Sequence, residues 1–546
     1  MASFLPTGKP LVYLITITCS AGFLNFGYDQ GVFAGSLVSH YYLTTFGPDP
    51  NTPPNASTQG TTSALFDIGG AVGALAVLFI GAILGRRRAI QLGCVLVTVG
   101  AILQATSSTL GQLIAGRLVT GVGVGIQTTT VPNYLAECTP AASRGAHMAI
   151  EICIAALGLF LAQSATPYKW INYSQAYSES KFAFAFPLAF QVVFAIFTGC
   201  FCFVLPESPR WLVSRGRVRE AEAVVLRLLG NGVTPETEEV RHMMKEMLEA
   251  EELESRGGAQ SRFKQLFTSG PTQNARRVGL ACLVAIGQQA TGINAITYYV
   301  PTLLETYLKV GRQGSLLIGG FFSLVSFVFT LPTIILIDKI GRISLFIIGC
   351  VIQAICWIII AALIPTAPEG STVFGGVIVA FIFVFFACYS TCWLATSWGY
   401  GAEVLPLNIR SDGLGFAGIW VWFFNFVIVE WTPTAIQNIG YKYYIILAVF
   451  NVAMIPIFYY CAPETRGKTL EEMDFYFASK YGGQADLAAV EAQHRVLEKD
   501  VNSGVDAHGR KVGEKDEGSV QDKESVGKGG GVRTEEVEAS EVSSSG

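Results

Sequence analysis

Two charged residues stand where charge is expensive. Asp29 lies inside the apolar run 11–36 and Arg117 inside the run 113–135, and ionisable groups in segments of this kind are rare and by default functional. Asp29 is about seven residues from one end of its run, and Arg117 about four from the matching end of its own. At a rise of ~1.5 Å per residue they lie about 10 Å and about 6 Å deep, close enough in level for depth to permit pairing. Burial and a nearby cation act in opposite senses on a carboxylate's proton affinity, so movement of that cation can load or release a proton. A second group is amide chemistry: Gln288, Gln289 and Asn294 fall within the seven residues QQATGIN. Each amide offers two donors and an acceptor, the equipment for exchanging a hydroxylated solute's water shell for protein. The same groups also serve as glue between helices. Gln288 and Asn294 are six apart and so well separated around a regular helix; Gly292 between them fits a local irregularity able to bring both to one cavity.

The elements that must position these residues are spans. Mean hydropathy is +0.45, and only 14% of the 546 residues are charged, against about 25% in ordinary soluble domains. A spanning helix needs about 20 mostly apolar residues. Twelve such runs follow one another: 11–36, 63–84, 90–106, 113–135, 149–166 and 184–205, then 278–304, 315–337, 345–364, 373–402, 415–433 and 443–461. Lipid offers backbone groups no hydrogen-bond partner, so the runs are predicted to be helices and the fold all-α. Basic residues collect on one face: Arg86–Arg88, Arg144, the segment 206–277, Lys339, Arg342, Arg410, Arg466 and Lys468. The other face receives Lys169, Lys181, Lys309, Arg312 and Lys442. The rich face is expected to be cytosolic, with both termini on it. Two sequons, at Asn55 and Asn172, fall in outer loops and are candidate glycosylation sites.

The halves repeat. Gly85 of GRR and Gly341 of DKIGR are 256 apart, PESPR at 206 and PETRG at 463 are 257 apart, and the Glu137–Arg144 and Glu403–Arg410 spacings are both seven. Two parallel six-helix repeats are predicted, with the substrate site between them near the midplane. The expected division is an N-terminus at 1–10, a first bundle at 11–205, a helical linker at 206–277, a second bundle at 278–461 and a tail at 462–546, without a core and disordered after about 481. In the linker, VREAEAVVLRLLG and the run 235–254 read as amphipathic helices, the latter with Thr234 as its N-cap. Twelve cysteines show no zinc-type spacing and none lies in an outer loop, so no disulfide framework is expected. Five histidines are too few for a metal centre. The net charge of −4 gives no reason to expect a nucleic-acid partner.

The ordered set FGYDQGVFAG at 26, GRR at 85, GRLVTGVGVG at 116, PNYLAECTPAASRG at 132, PESPRWL at 206, QQATGIN at 288, DKIGR at 338, AEVLPLNIR at 402 and PETRGKTLEEMD at 463 resembles the sugar porter family of the major facilitator superfamily, in its fungal form. The match covers roughly residues 20–475. The resemblance implies a monomeric alternating-access transporter for a sugar or polyol in the plasma membrane, without a cofactor and with the proton as coupling ion. It implies that Gln288, Gln289, Asn294 and Asn425 bond substrate hydroxyls, and that Trp398 and Trp422 pack against the sugar ring. By the same resemblance Asp29 is the protonation site and Arg117 tunes it. Glu137, Arg144, Asp338, Arg342, Glu403 and Arg410 are implied to form salt bridges between the halves that latch one state.

Four positions depart from the family pattern: Ile152 stands in place of a glutamine, Ser326 of an asparagine, Ser397 of a proline and Ala82 of an aspartate. They leave the choice of solute open among hexoses, pentoses, polyols such as glycerol, and non-sugar metabolites such as quinate or a secondary metabolite. Facilitative transport remains an alternative to symport. A sensor on the same fold would carry signalling motifs in a long tail, whereas the last 65 residues are featureless. A membrane enzyme would need a nucleophile with its base, or a metal cluster, in the bilayer; the sequence offers neither.

Overall fold

The computed structural model describes residues 6–47, 54–140, 143–163, 181–230, 232–255, 264–308, 311–366, 368, 371–406 and 409–492. Among these residues every regular element is helical. The first half runs α1 (Lys9–Leu37), a short α2 (His40–Thr45), α3 (Ala56–Leu84), α4 (Arg86–Ala105), α5 (Leu110–Cys138), α6 (Arg144–Gln163) and α7 (Lys181–Val204). Side-chain caps start several of them: Asn55 accepts from Thr58 N–H at 2.8 Å ahead of α3, and Thr109 accepts from Gln112 N–H at 3.3 Å ahead of α5. The candidate sequon asparagine Asn55 is therefore also a helix cap, while Asn172 lies outside the described residues.

Helices α3, α4 and α5 lie at backbone contact. A Cβ on Gly121 would sit 2.0 Å from the Phe66 carbonyl oxygen, and one on Gly69 2.3 Å from that of Leu118. Without a hydrophobic drive between helices in lipid, such close approach supplies the packing that holds them. Bulky side chains such as Phe79, Ile83, Phe203 and Tyr460 instead face outward.

The linker forms α8 (Pro209–Ser214), α9 (Val218–Leu229) and α10 (Glu238–Ser255) around a small core of Trp211, Val225, Val240 and Met244. Ser208 caps α8. Thr234 does not cap α10, which starts three residues later than expected; its N–H instead donates to Thr237 Oγ1 at 3.1 Å.

The second half runs α11 (Asn274–Ala290), α12 (Ile293–Leu308), α13 (Arg312–Thr330), α14 (Thr333–Ile340), α15 (Arg342–Thr366), α16 (Thr372–Tyr389), a π-helical turn (Ser390–Leu394), α17 (Ala395–Val404), α18 (Arg410–Ile439) and α19 (Lys442–Cys461). Three of its six runs are interrupted: at Thr291–Gly292, at Leu331–Pro332 with a 50° bend, and at the π turn. One large apolar cluster centred on Trp357, Phe385, Trp393 and Phe458 binds this half together. After it, α20 (Leu470–Tyr481) opens on a full capping box at Thr469 and Glu472. The chain is again helical over 484–492, past the expected end of order, and the remainder lies outside the described residues.

Ten described helices are long and apolar enough to cross a membrane, eleven with the bent pair α13–α14. The twelfth expected run is α5. It is helical over 29 residues, but glycines, threonines and Arg117 dilute its hydropathy, because it packs against α3 and α4 as well as α1.

Candidate functional site: a cavity between the halves

Helix α11 ends at Ala290 and α12 begins at Ile293, so Gln288 and Gln289 close one helix and Asn294 opens the next. The break turns on Gly292, whose φ of +88° is a conformation that L side chains rarely adopt. Two side chains hold it: Trp357 Nε1 donates to the Thr291 carbonyl at 2.9 Å and Asn451 Nδ2 to the same oxygen at 3.2 Å. Asn294 Nδ2 then reaches back to Gln289 Oε1 at 2.6 Å. The irregularity expected from the glycine is thus a full helix break, and it brings all three amides onto one cavity of about 110 Å³.

The same cavity is lined by Trp398 from α17 and by Trp422 and Asn425 from α18, so the six residues expected to meet substrate share one wall. The π turn Ser390–Leu394 precedes Trp398 and widens its helix. Trp398 packs edge-on to Phe23 and Trp422 edge-on to Phe26, with ring centroids 6.0 and 5.8 Å apart. The opposite wall is Phe26, Gly27 and Gln30 of α1 with Ala155, Ala156 and Leu159 of α6. Of the departures, Ile152 is not on the lining, whereas Ser326 is, and its hydroxyl lies 2.8 Å from that of Ser390. Ser397 bonds the Trp393 carbonyl one turn back, and the Ala82 carbonyl accepts from Trp211 Nε1 at 2.8 Å.

At the end away from the linker, hydrogen bonds cross between the halves. Tyr298 O–H donates to Gln30 Oε1 at 2.9 Å, Gln163 Nε2 to the Thr297 carbonyl at 3.1 Å, and Thr61 Oγ1 to Glu430 Oε1 at 2.9 Å. Asn425 Nδ2 donates to Asp67 Oδ1 at 2.9 Å. Asp67 is a fully buried carboxylate on α3 that the sequence reading passed over, as are the cavity residues Gln30 and Phe26.

Asp29 and Arg117 are both completely buried, but they do not form the direct ion pair that their depth permits. The Arg117 guanidinium donates to the Thr62 carbonyl at 3.3 Å and the Ser63 carbonyl at 3.0 Å, with the Phe33 and Phe66 rings 4.2 and 4.5 Å from its centre. A planar fork suits two successive carbonyls and two aromatic faces. Its charge acts on both Asp29 and Asp67. Neither carboxylate oxygen of Asp29 has a hydrogen-bond partner.

At the linker end the repeat reappears as paired clusters. In the first half Arg86 pairs with Glu137 at 3.0 Å, Ser208 Oγ donates to Glu137 at 2.5 Å, and Glu207 accepts from the N–H groups of Arg86 and Arg87 at 3.0 and 3.1 Å. In the second Arg342 pairs with Glu403 at 2.7 Å, Thr465 Oγ1 donates to Glu403 at 2.6 Å, and Glu464 accepts from the N–H groups of Arg342 and Ile343 at 2.8 and 3.0 Å. Glu207 and Glu464 each satisfy the open N–H groups that begin α4 or α15. Burial pushes the Glu207 carboxyl up, against the pull of the N–H groups of Ser208, Arg87 and Arg86. Asp338 adds a contact to Arg342 at 3.2 Å. Glu137, Glu403 and Arg342 therefore pair within each half, not between halves as expected, since adjacent helices deliver both partners. Arg410 donates to its own Leu405 carbonyl at 3.4 Å, and the side chain of Arg144 lies outside the described residues.

The family profile described as "Sugar (and other) transporter" matches residues 14–477. The chain belongs to this family. It is a multi-pass membrane protein that transports a small molecule and is not an enzyme. Sugar transporter STL1 of Saccharomyces cerevisiae is 34% identical over 487 residues, covering 87% of this chain and 83% of that protein. An arabinose–proton symporter of Bacillus subtilis is 28% identical over 475 residues, covering 85% and 94%. A partially occluded inward-open structure of the xylose transporter XylE from E. coli superposes with a TM-score of 0.68 at 22% identity, covering 84% of this chain and all of that one. That likeness establishes the major facilitator fold.

Proposed function

We propose that this member of the sugar transporter family is a secondary active transporter that carries a sugar or polyol together with a proton, by alternating access between its two halves. The observation that carries this reading is the cavity at the break of α11 and α12. Three amides, a fourth on α18 and two indoles converge there, matching the hydroxyl edges and C–H faces of a sugar ring. Asp29 is the proton carrier, since its carboxylate is buried without a hydrogen-bond partner while Arg117 acts on it through space. The names of the relatives, a sugar transporter and an arabinose–proton symporter, agree with the solute class and with symport.

The linker end faces the cytosol, with both termini on that side and the tail beyond it. The bonds at the far end then close the outside, so this conformation opens inward. The Arg86–Glu137 and Arg342–Glu403 clusters brace each half as a rigid body, and Arg144, Asp338 and Arg410 join them across the halves when the outside opens. The protein works as a monomer in the plasma membrane, glycosylated at Asn55 and Asn172. The test is uptake by proteoliposomes of labelled hexoses, pentoses and polyols, with and without an imposed pH gradient. Accumulation of one of these solutes above equilibrium in an acid-outside gradient is the expected outcome. Equilibration without accumulation makes the protein a uniporter, and no uptake of any of them removes the solute class.

A further inference from the structure

Asp67 is fully buried, yet only one of its oxygens has a partner. Oδ1 accepts from Asn425 Nδ2 at 2.9 Å, a bond between α3 of one half and α18 of the other, and Oδ2 is bare. Asn425 is itself 3% exposed and lines the cavity, and its own Oδ1 has no partner within the protein. One turn from Asp67, Gly70 is pressed against Trp422, where a Cβ would meet the indole at 2.4 Å. Asp67 thus stands directly behind the part of the wall formed by Trp422 and Asn425, without itself lining the cavity.

A carboxylate can only accept, whereas a carboxylic acid can also donate. While Asp67 is charged, the Asn425 amide must turn its nitrogen toward α3, which leaves its carbonyl oxygen for a hydroxyl donor in the cavity. Once Asp67 takes a proton from solvent, it can donate to that carbonyl oxygen, and the amide nitrogen is then free to turn to the cavity. The other ionisable groups around Asp67 are few. Arg117 on α5 acts on it directly, and Tyr298 and Tyr299 on α12 interact with it electrostatically. Asp29 on α1 reaches the same Arg117 and Tyr298, and Glu430 on α18 is held by Thr61. One guanidinium therefore serves two buried carboxylates.

We propose that Asp67 is a positioning residue for the solute site: it orients the Asn425 amide, and its protonation decides whether the cavity is offered an acceptor or a donor at that point. The inference rests on the sugar or polyol reading of the cavity. It adds a second, separate link between proton and solute to the one at Asp29.

The test is the KM for equilibrium exchange across the acid-to-neutral range in proteoliposomes, with labelled glucose, arabinose and glycerol as probes. Wild type, Asp67→Asn and the swap Asp67→Asn/Asn425→Asp are compared. An amide shows either end at any pH, so Asp67→Asn should remove the part of the KM–pH profile that Asp67 sets, a change of about tenfold for one hydrogen bond made or lost. The swap rebuilds the bond between the halves but puts the carboxylate on the cavity wall, and should restore a pH-dependent KM of altered shape. It also supplies the answer if the single variant does not fold. A profile for Asp67→Asn that superimposes on wild type, or a swap indistinguishable from wild type, overturns the proposal while leaving the function intact. Exchange of none of the probes by wild type overturns both.

Discussion

The two halves of the bundle share one plan and divide the chemistry. Asp29, Asp67, Glu151 and Arg117, charged residues buried within the bundle, all come from the first half, where α3, α4 and α5 run unbroken at backbone contact. Gln288, Gln289, Asn294, Asn425 and the two indoles come from the second, whose helices are interrupted at Gly292 and at the π turn before Trp398. The difference has a physical reason. A dry, close-packed wall is what makes a buried charge sensitive to the position of a single cation. Solvating a hydroxylated guest needs several amides on one surface, which a regular helix cannot arrange for residues one and six apart. Asp67–Asn425 is a point where the two kinds of region meet.

The contrast breaks most visibly in packing. Gly121→Ala forces a Cβ to within 2.0 Å of a backbone oxygen that cannot move alone. It should cost about 3 kcal/mol or more, read as loss of the monodisperse peak and a large fall in melting temperature. A second-half counterpart, Gly399→Ala, meets nothing within 4 Å and should melt as wild type does. Next in size is Gln288→Ala, which on the proposed reading leaves a solute hydroxyl unpaired and should weaken binding by about 1–3 kcal/mol without lowering surface expression. Unchanged affinity there would remove the second half's role in recognition. Smaller again are Arg86→Ala and Arg342→Ala. Each deprives a partly buried glutamate of its cation, and each should lower stability by about 1–2 kcal/mol while solute binding in detergent survives. The repeat predicts similar effects for the pair, and a loss confined to one of them would show that the clusters are not equivalent.

Much of this division was legible in the chain. The spans, the repeat and the amides of QQATGIN are local patterns, and Gly292 marked where the helix would yield. What stayed hidden depends on azimuth and long-range pairing. Depth along a helix is one coordinate, so Asp29 and Arg117 could be placed at similar levels without revealing that Arg117 turns toward the α3 carbonyls. Asp67 sits in an ordinary apolar run, and its partner is 358 residues away. The resemblance grouped Glu137 and Glu403 with Arg144, Asp338, Arg342 and Arg410 in one network between the halves, and the repeated seven-residue spacing says nothing of which charges touch. The partners of the two glutamates, Arg86 and Arg342, stand 51 and 61 residues off, on neighbouring helices. Helix α5 was legible as a span from its own apolar run 113–135, although it is not among the helices apolar enough to cross a membrane by composition.

The claim at the centre of this account is that the first half carries the proton and the second the solute. It is tested most directly by concentrative uptake in vesicles with an imposed pH gradient, comparing wild type with Asp29→Asn. Wild type should accumulate solute when the outside is acid and lose that accumulation when a protonophore is added. Asp29→Asn, fixed in a form that resembles the protonated acid, should still exchange solute down its gradient but never concentrate it. Accumulation by Asp29→Asn equal to that of wild type, or a wild type that only equilibrates, would contradict the account.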